Sequence, residues 1–174
     1  MADIFCSTEV EEYIALECGI ERAGVIAVAL IDLDEDPSDA NLEDASFWTT
    51  KLAASPAKYW LINPTRGEYN GGTPTEEDGF GTESTQVTGA DHEATVEFEG
   101  LLLNRDFVES INRRKFKLVL FTNAGLMLYV DAPVTSYTTP KNGRSVKAGA
   151  FWGGTWKWQS YDNPKVLTTP DILD

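Results

Sequence analysis

The spacing of apolar and polar positions changes several times along the chain, and each change marks a predicted element. Ala23 to Ile31 is a continuous apolar run rich in β-branched side chains, which predicts a central strand buried on both faces. The stretch from Asp32 to Asp44 is acidic and reads as a loop. Ser46 is placed to cap a short helix through Ala54, with Phe47, Leu52 and Ala53 on one face. Tyr59 to Ile62 predicts a strand running towards Glu68 and Tyr69. Between Asn70 and Gly81 glycine, proline and acidic residues interrupt any period, so this stretch reads as a long polar loop. Thr82 to Thr88 and His92 to Glu99 alternate. In the second of these Ala94, Val96 and Phe98 point one way and Glu93, Thr95, Glu97 and Glu99 the other.

The period then becomes helical. Phe107, Val108 and Ile111 form a stripe on a helix that begins at Asn104, with Arg113, Arg114 and Lys115 at its C-terminal end, where the dipole favours cations. Phe116 to Thr122, a turn at Asn123-Ala124-Gly125 and Leu126 to Val130 predict a hairpin. Val134 to Thr139, Val146 to Phe151 and Thr155 to Tyr161 predict three more strands, separated at Pro140 to Gly143 and at Gly153-Gly154. The expectation is a single mainly β domain over residues 1–174: a β-sandwich or barrel of about eight strands, one or two short α-helices and long assembly loops. Residues 1–22, in which glutamates interrupt Ile14 and Leu16, read as an N-terminal arm or edge segment.

Charge sharpens this picture. Lys and Arg number 14 against 28 Asp and Glu, a net charge of −14. Residues 1–99 hold 4 basic and 22 acidic residues, a net −18, while residues 100–174 hold 10 and 6, a net +4. An acidic part and a basic part on one chain favour head-to-tail contacts between identical copies, which close into rings or stack into filaments. A basic face for gripping phosphates is not suggested. The longest apolar run is too short for a membrane span, and the N-terminus carries no basic segment of the signal-peptide kind, so a soluble protein made in the cytoplasm is expected.

The candidate chemistry is sparse. His92 is the single histidine, and the favoured reading is an exposed polar strand residue rather than part of a Ser-His-Asp site. Cys6 and Cys18 read as free thiols. Asp32, Asp34, Asp36 and Glu43 match positions 1, 3, 5 and 12 of a calcium loop, but Pro37 stands where that loop needs glycine and Asp39 where it needs an apolar residue. A solvated turn is the preferred reading, and no catalytic, cofactor or metal residue is assigned. Trp152, Trp156 and Trp158, with Tyr161 nearby, suit either a sugar-stacking platform or a core face. The core is preferred, because Lys157 and Gln159 occupy the opposite face and the Phe107–Ile111 stripe offers a packing partner.

The order of these elements resembles the tail-tube proteins of bacteriophages and related injection machines. The likeness runs over roughly residues 23–161: the Gly/Pro/acid loop, the strand Ala94-Thr95-Val96-Glu97-Phe98-Glu99, the helix from Asn104 to Asn112, the hairpin from Phe116 to Tyr129 and the closing Trp156-Lys157-Trp158 strand. It is a likeness of organisation, since that family has no short diagnostic motif. It implies a structural virion protein, not an enzyme, made in the host cytoplasm. Its copies would form hexameric rings stacked into a tube that conducts DNA at ejection, with residues 1–22 and 66–92 bridging subunits. The implied partners are other copies, other tail proteins, and DNA passing without specific binding; neither a membrane nor a cofactor is implied. A capsid decoration or head–tail connector protein fits the same facts, and a carbohydrate-binding module fits the tryptophans.

Overall fold

The computed structural model describes residues 24–79, 85–142 and 149–173. Within them the chain forms β1 (Val25–Asp32), the helices α1 (Asp39–Leu42) and α2 (Ala45–Leu52), β2 (Tyr59–Ile62), β3 (Arg66–Asp78), β4 (Thr85–Phe98), α3 (Arg105–Ile111), β5 (Lys115–Thr122), β6 (Leu126–Asn142), β7 (Ala150–Ser160) and β8 (Lys165–Thr168). Six strands, all antiparallel to their neighbours, close into a barrel in the order β1-β3-β4-β7-β6-β5 and back to β1. Two strands lie outside it: β2 pairs with β1, and β8 with β6. The mainly β expectation holds, with three short helices rather than one or two.

The apolar run at β1 is buried on both faces for a definite reason. Val28 and Leu30 join the barrel interior with Val96, Leu118, Leu120, Trp152 and Trp156. Ala27, Ala29 and Ile31 face an outer layer with Leu42, Trp48, Tyr59, Val119 and Phe121. Helix α2 supplies the cover. Its Trp48 is fully buried, meets Tyr59 and Phe121 edge-on at 5.9 and 5.8 Å, and donates from Nε1 to the Leu42 carbonyl at 2.7 Å. Asp44 rather than Ser46 caps this helix, its carboxylate accepting from the Ser46 amide at 2.9 Å. The acidic loop also contains α1, capped by Ser38.

Helix α3 lies where predicted, with Asn104 preceding it and Val108 and Ile111 buried in the interior cluster beside Trp152, Trp156 and Trp158. It is tied to β6. Ser136 Oγ donates to the Ile111 carbonyl at 2.9 Å, Asn112 Nδ2 donates to the Thr138 carbonyl at 2.8 Å, and Asn112 Oδ1 accepts from the Thr138 amide at 2.9 Å.

Three boundaries differ from the sequence reading. Most of residues 66–92 is strand: β3 and β4 form one long hairpin whose register shifts between Tyr69 and Gly72 and again between Thr75 and Glu76. The expected strands at 126–130 and 134–139 are parts of the single strand β6, which first pairs β5 and β8 and then β7. Gly153-Gly154 lies inside β7 instead of ending it. A Cβ on Gly154 would collide with the Tyr137 carbonyl and sit 2.7 Å from Thr138 Cα, so the close approach of β6 requires glycine there. The N-terminal arm at 1–22 and both cysteines fall outside the described residues.

Candidate functional site

Three places gather polar or charged chemistry. The first is one end of the barrel, where β3 and β4 leave it. Lys115, Thr135, Lys157 and Glu93 are cross-strand partners in one row over β5, β6, β7 and β4. Beyond that row β4 keeps β7 as a neighbour only as far as Ala90, which pairs with Ser160. From there Thr75–Asp78 and residues 85–89 pair only with each other, a free ribbon of about 13 Å at roughly 3.3 Å per residue. Nearly every side chain on it is exposed, including Val87 and the consecutive acids Glu76, Glu77 and Asp78.

Inside the same barrel end sits His92, which is buried, not exposed as the sequence suggested. Strand β3 crosses over it before the free ribbon begins: a Cβ on Gly72 would lie 2.5 Å from the imidazole Cε1. The ring stacks on Trp158 at 5.3 Å with planes 4° apart, and Tyr69 stacks on Trp158 at 5.5 Å. His92 Nε2 is 3.2 Å from the Ser160 carbonyl, and Nδ1 is 2.7 Å from the Tyr69 hydroxyl. A carbonyl can only accept, so Nε2 carries the proton and Nδ1 accepts from Tyr69. Burial pushes the Tyr69 hydroxyl above the usual tyrosine range, which keeps it a donor. Both ring nitrogens are thus committed to holding the hairpin base on the barrel.

The second place is the outer layer beside α2. Glu35 pairs with Lys51 at 2.9 Å and Lys58 at 3.1 Å and accepts from the Tyr59 hydroxyl at 3.3 Å. Hydrogen bonds from Lys51 and Lys58 hold its carboxyl at about 2. Burial, then the Glu35 charge, pushes the Tyr59 hydroxyl far up. Next to it, nearly buried Lys117 reaches Asp131 at 2.9 Å, Asp36 at 3.4 Å and the Glu35 carbonyl at 2.8 Å. Burial works against its charge, but the Asp131 and Asp36 carboxylates outweigh it and leave Lys117 above the usual lysine range.

These contacts bear directly on the calcium-loop residues. Asp32 turns back to accept the Asp34 amide at 3.1 Å, Asp36 faces Lys117, and Glu43 accepts the Thr168 amide at 2.9 Å. They do not converge on one point, and among the described residues no group of three potential ligands forms a metal site. The cations in this region are lysines.

The tryptophans are the third place. Trp152, Trp156 and Trp158 are all buried in the barrel interior, and Trp156 Nε1 donates to Thr138 Oγ1 at 3.0 Å. Their faces are packed, so this stripe presents no stacking platform. Tyr161 remains exposed at the strand's end. No described helix is long and apolar enough to cross a membrane. Sequence reasoning missed Trp48 and Lys117. The first is signalled by its i, i+4 spacing to Leu52, the second by a lone cation inside the apolar run from Phe116 to Phe121.

In comparison with known proteins, no family model, no curated protein and no solved structure matches the chain.

Proposed function

We propose that this protein is a structural subunit that assembles with copies of itself into stacked hexameric rings, forming a tube of the bacteriophage tail-tube kind that conducts DNA at ejection. The observation that carries this reading is the acidic ribbon of β3 and β4, which stands free of a closed and filled barrel. A two-stranded ribbon alone in water is marginally stable, so one with no cover among the described residues suits a contact made by another copy. Net charge supports the same reading. A chain at −14 repels phosphates and leaves DNA free to slide past. The partners are then other copies and the tail proteins at the ends of the tube, in a virion built in the host cytoplasm. The role is architectural: His92, the Glu35 cluster and the Lys117 cluster all spend their hydrogen bonds on joining segments of the fold.

Negative-stain microscopy of the concentrated protein tests this, with light scattering on the eluting species. Rings or tubes with six-fold end views are the expected result. A strict monomer at high concentration, in both low and high salt, would overturn it.

A further inference from the structure

In a chain with twice as many acids as bases, three consecutive cations without an acid beside them stand out. Arg113, Arg114 and Lys115 form the corner between α3 and β5, are all exposed, and make no ion pair among the described residues. The other described lysines and arginines, Lys141 apart, are each within reach of a carboxylate. The ribbon shows the converse: Glu76, Glu77 and Asp78 are consecutive, exposed and unpaired among the described residues, with no Lys or Arg between Gly67 and Asp78 or between Thr85 and Phe98.

We infer that the Arg113-Arg114-Lys115 corner is a docking site for the Glu76-Glu77-Asp78 ribbon of a second copy. The inference rests on the self-assembly proposed above and names the surfaces that would make it. The two patches cannot satisfy each other easily within one subunit. Lys115 belongs to the row at the base of the hairpin, whereas the acids lie on the ribbon that leads away from it. Between copies the match is three charges against three. Because the two patches differ, the contact can repeat head to tail from copy to copy, and it builds a ring where the rotation between neighbours closes. A nucleic-acid phosphate is the rival occupant of a basic corner. It is disfavoured because it would have to approach a subunit of net charge −14, whereas the ribbon brings its acids to the corner on a thin protrusion.

The test uses two charge-reversed full-length variants, Glu76→Lys/Glu77→Lys and Arg113→Glu/Arg114→Glu. All four side chains are exposed, so melting temperatures should match the parent, and circular dichroism checks this. Each variant alone should need about tenfold more protein to assemble, the scale of two or three exposed ion pairs. An equimolar mixture should restore assembly, with native mass spectrometry showing both variants in the same particle. Parent-like assembly by each variant alone would overturn the inference and leave the self-assembly reading intact. Impaired assembly that mixing does not restore would overturn the pairing of these two patches. A parent protein that never assembles would remove both readings. Binding of a short DNA duplex by the parent, lost in Arg113→Glu/Arg114→Glu, with assembly unchanged, would assign the corner to phosphate instead.

Discussion

Replacing Trp156 with alanine tests how this barrel is held together. The side chain is fully buried in the barrel interior, on the strand that joins β4 to β6. Removing a buried tryptophan loses its transfer free energy and leaves a cavity, together about 3–5 kcal/mol. The indole also donates to Thr138 Oγ1, and Thr138 is itself buried, so its hydroxyl loses a donor at a further cost of about 1 kcal/mol. A loss of roughly 4–6 kcal/mol is a large share of the 5–15 kcal/mol that stabilises a typical domain. With a urea m-value near 2 kcal/mol per molar, the unfolding midpoint should fall by about 2–3 M. Urea titration followed by tryptophan fluorescence and near-ultraviolet circular dichroism measures this. Tyr137→Ala is the control, because Tyr137 is 71% exposed on the outer face of β6 and should move stability by no more than about 0.5 kcal/mol. If Trp156→Ala lowered the midpoint by less than about 0.5 M and kept the native near-ultraviolet spectrum, the reasoning about a shared, filled interior would be wrong.

Glu35 sets an acid limit. Its folded carboxyl, at about 2, lies below the ordinary value of 4.5, so the stability it contributes is complete above that value and is lost as pH falls towards 2. Discounted for the half-open surface around Lys51 and Lys58, the loss is about 1 kcal/mol, and Glu35→Gln should flatten the melting-temperature profile over that window. Gly154→Ala should cost roughly 2–4 kcal/mol and sharply reduce soluble yield, because its methyl meets backbone atoms of β6 that cannot move without breaking the ladder. A parent-like melting temperature would show that β6 gives way freely. Tyr69→Phe removes the donor to His92 Nδ1 and should lower stability by about 1–2 kcal/mol. The imidazole nitrogen signals should shift with it, and unchanged signals would mean that the hydrogen bond is not made in solution.

Where one local pattern and one packing demand agreed, the sequence was readable. β1 announced itself because both its faces are covered, and the tryptophans of β7 because alternation with Lys157 and Gln159 placed them on one side. Helix α3 was legible from Phe107, Val108 and Ile111, since a helix beside a sheet needs only one apolar stripe. The ribbon was not. Gly71, Gly72 and Pro74 are poor strand formers, and β3 exists because β4 supplies its hydrogen-bond partners from about twenty residues away. The Gly153-Gly154 pair misled for a related reason: locally it reads as a break, while the strand beside it demands the absence of side chains. His92 was misjudged because its burial depends on two other strands, β3 with Tyr69 and Gly72 and β7 with Trp158, and no window of sequence contains them together. Glu35 and Lys117 likewise have partners scattered from Asp36 to Asp131, so the acidic loop looked like solvated charge when part of it anchors the outer layer.

The filled interior of the barrel has a consequence for scale. Trp152, Trp156, Phe98, Val108 and their neighbours occupy the space that a wider barrel would leave open, so in the tube proposed above each subunit would be a solid stave with no bore through its barrel. The diameter of any passage built from it is therefore fixed by how many staves stand side by side and at what angle they meet. Mutations that enlarge or shrink the core would change how firmly each stave holds its shape, while the width of the opening would answer only to residues on the outside.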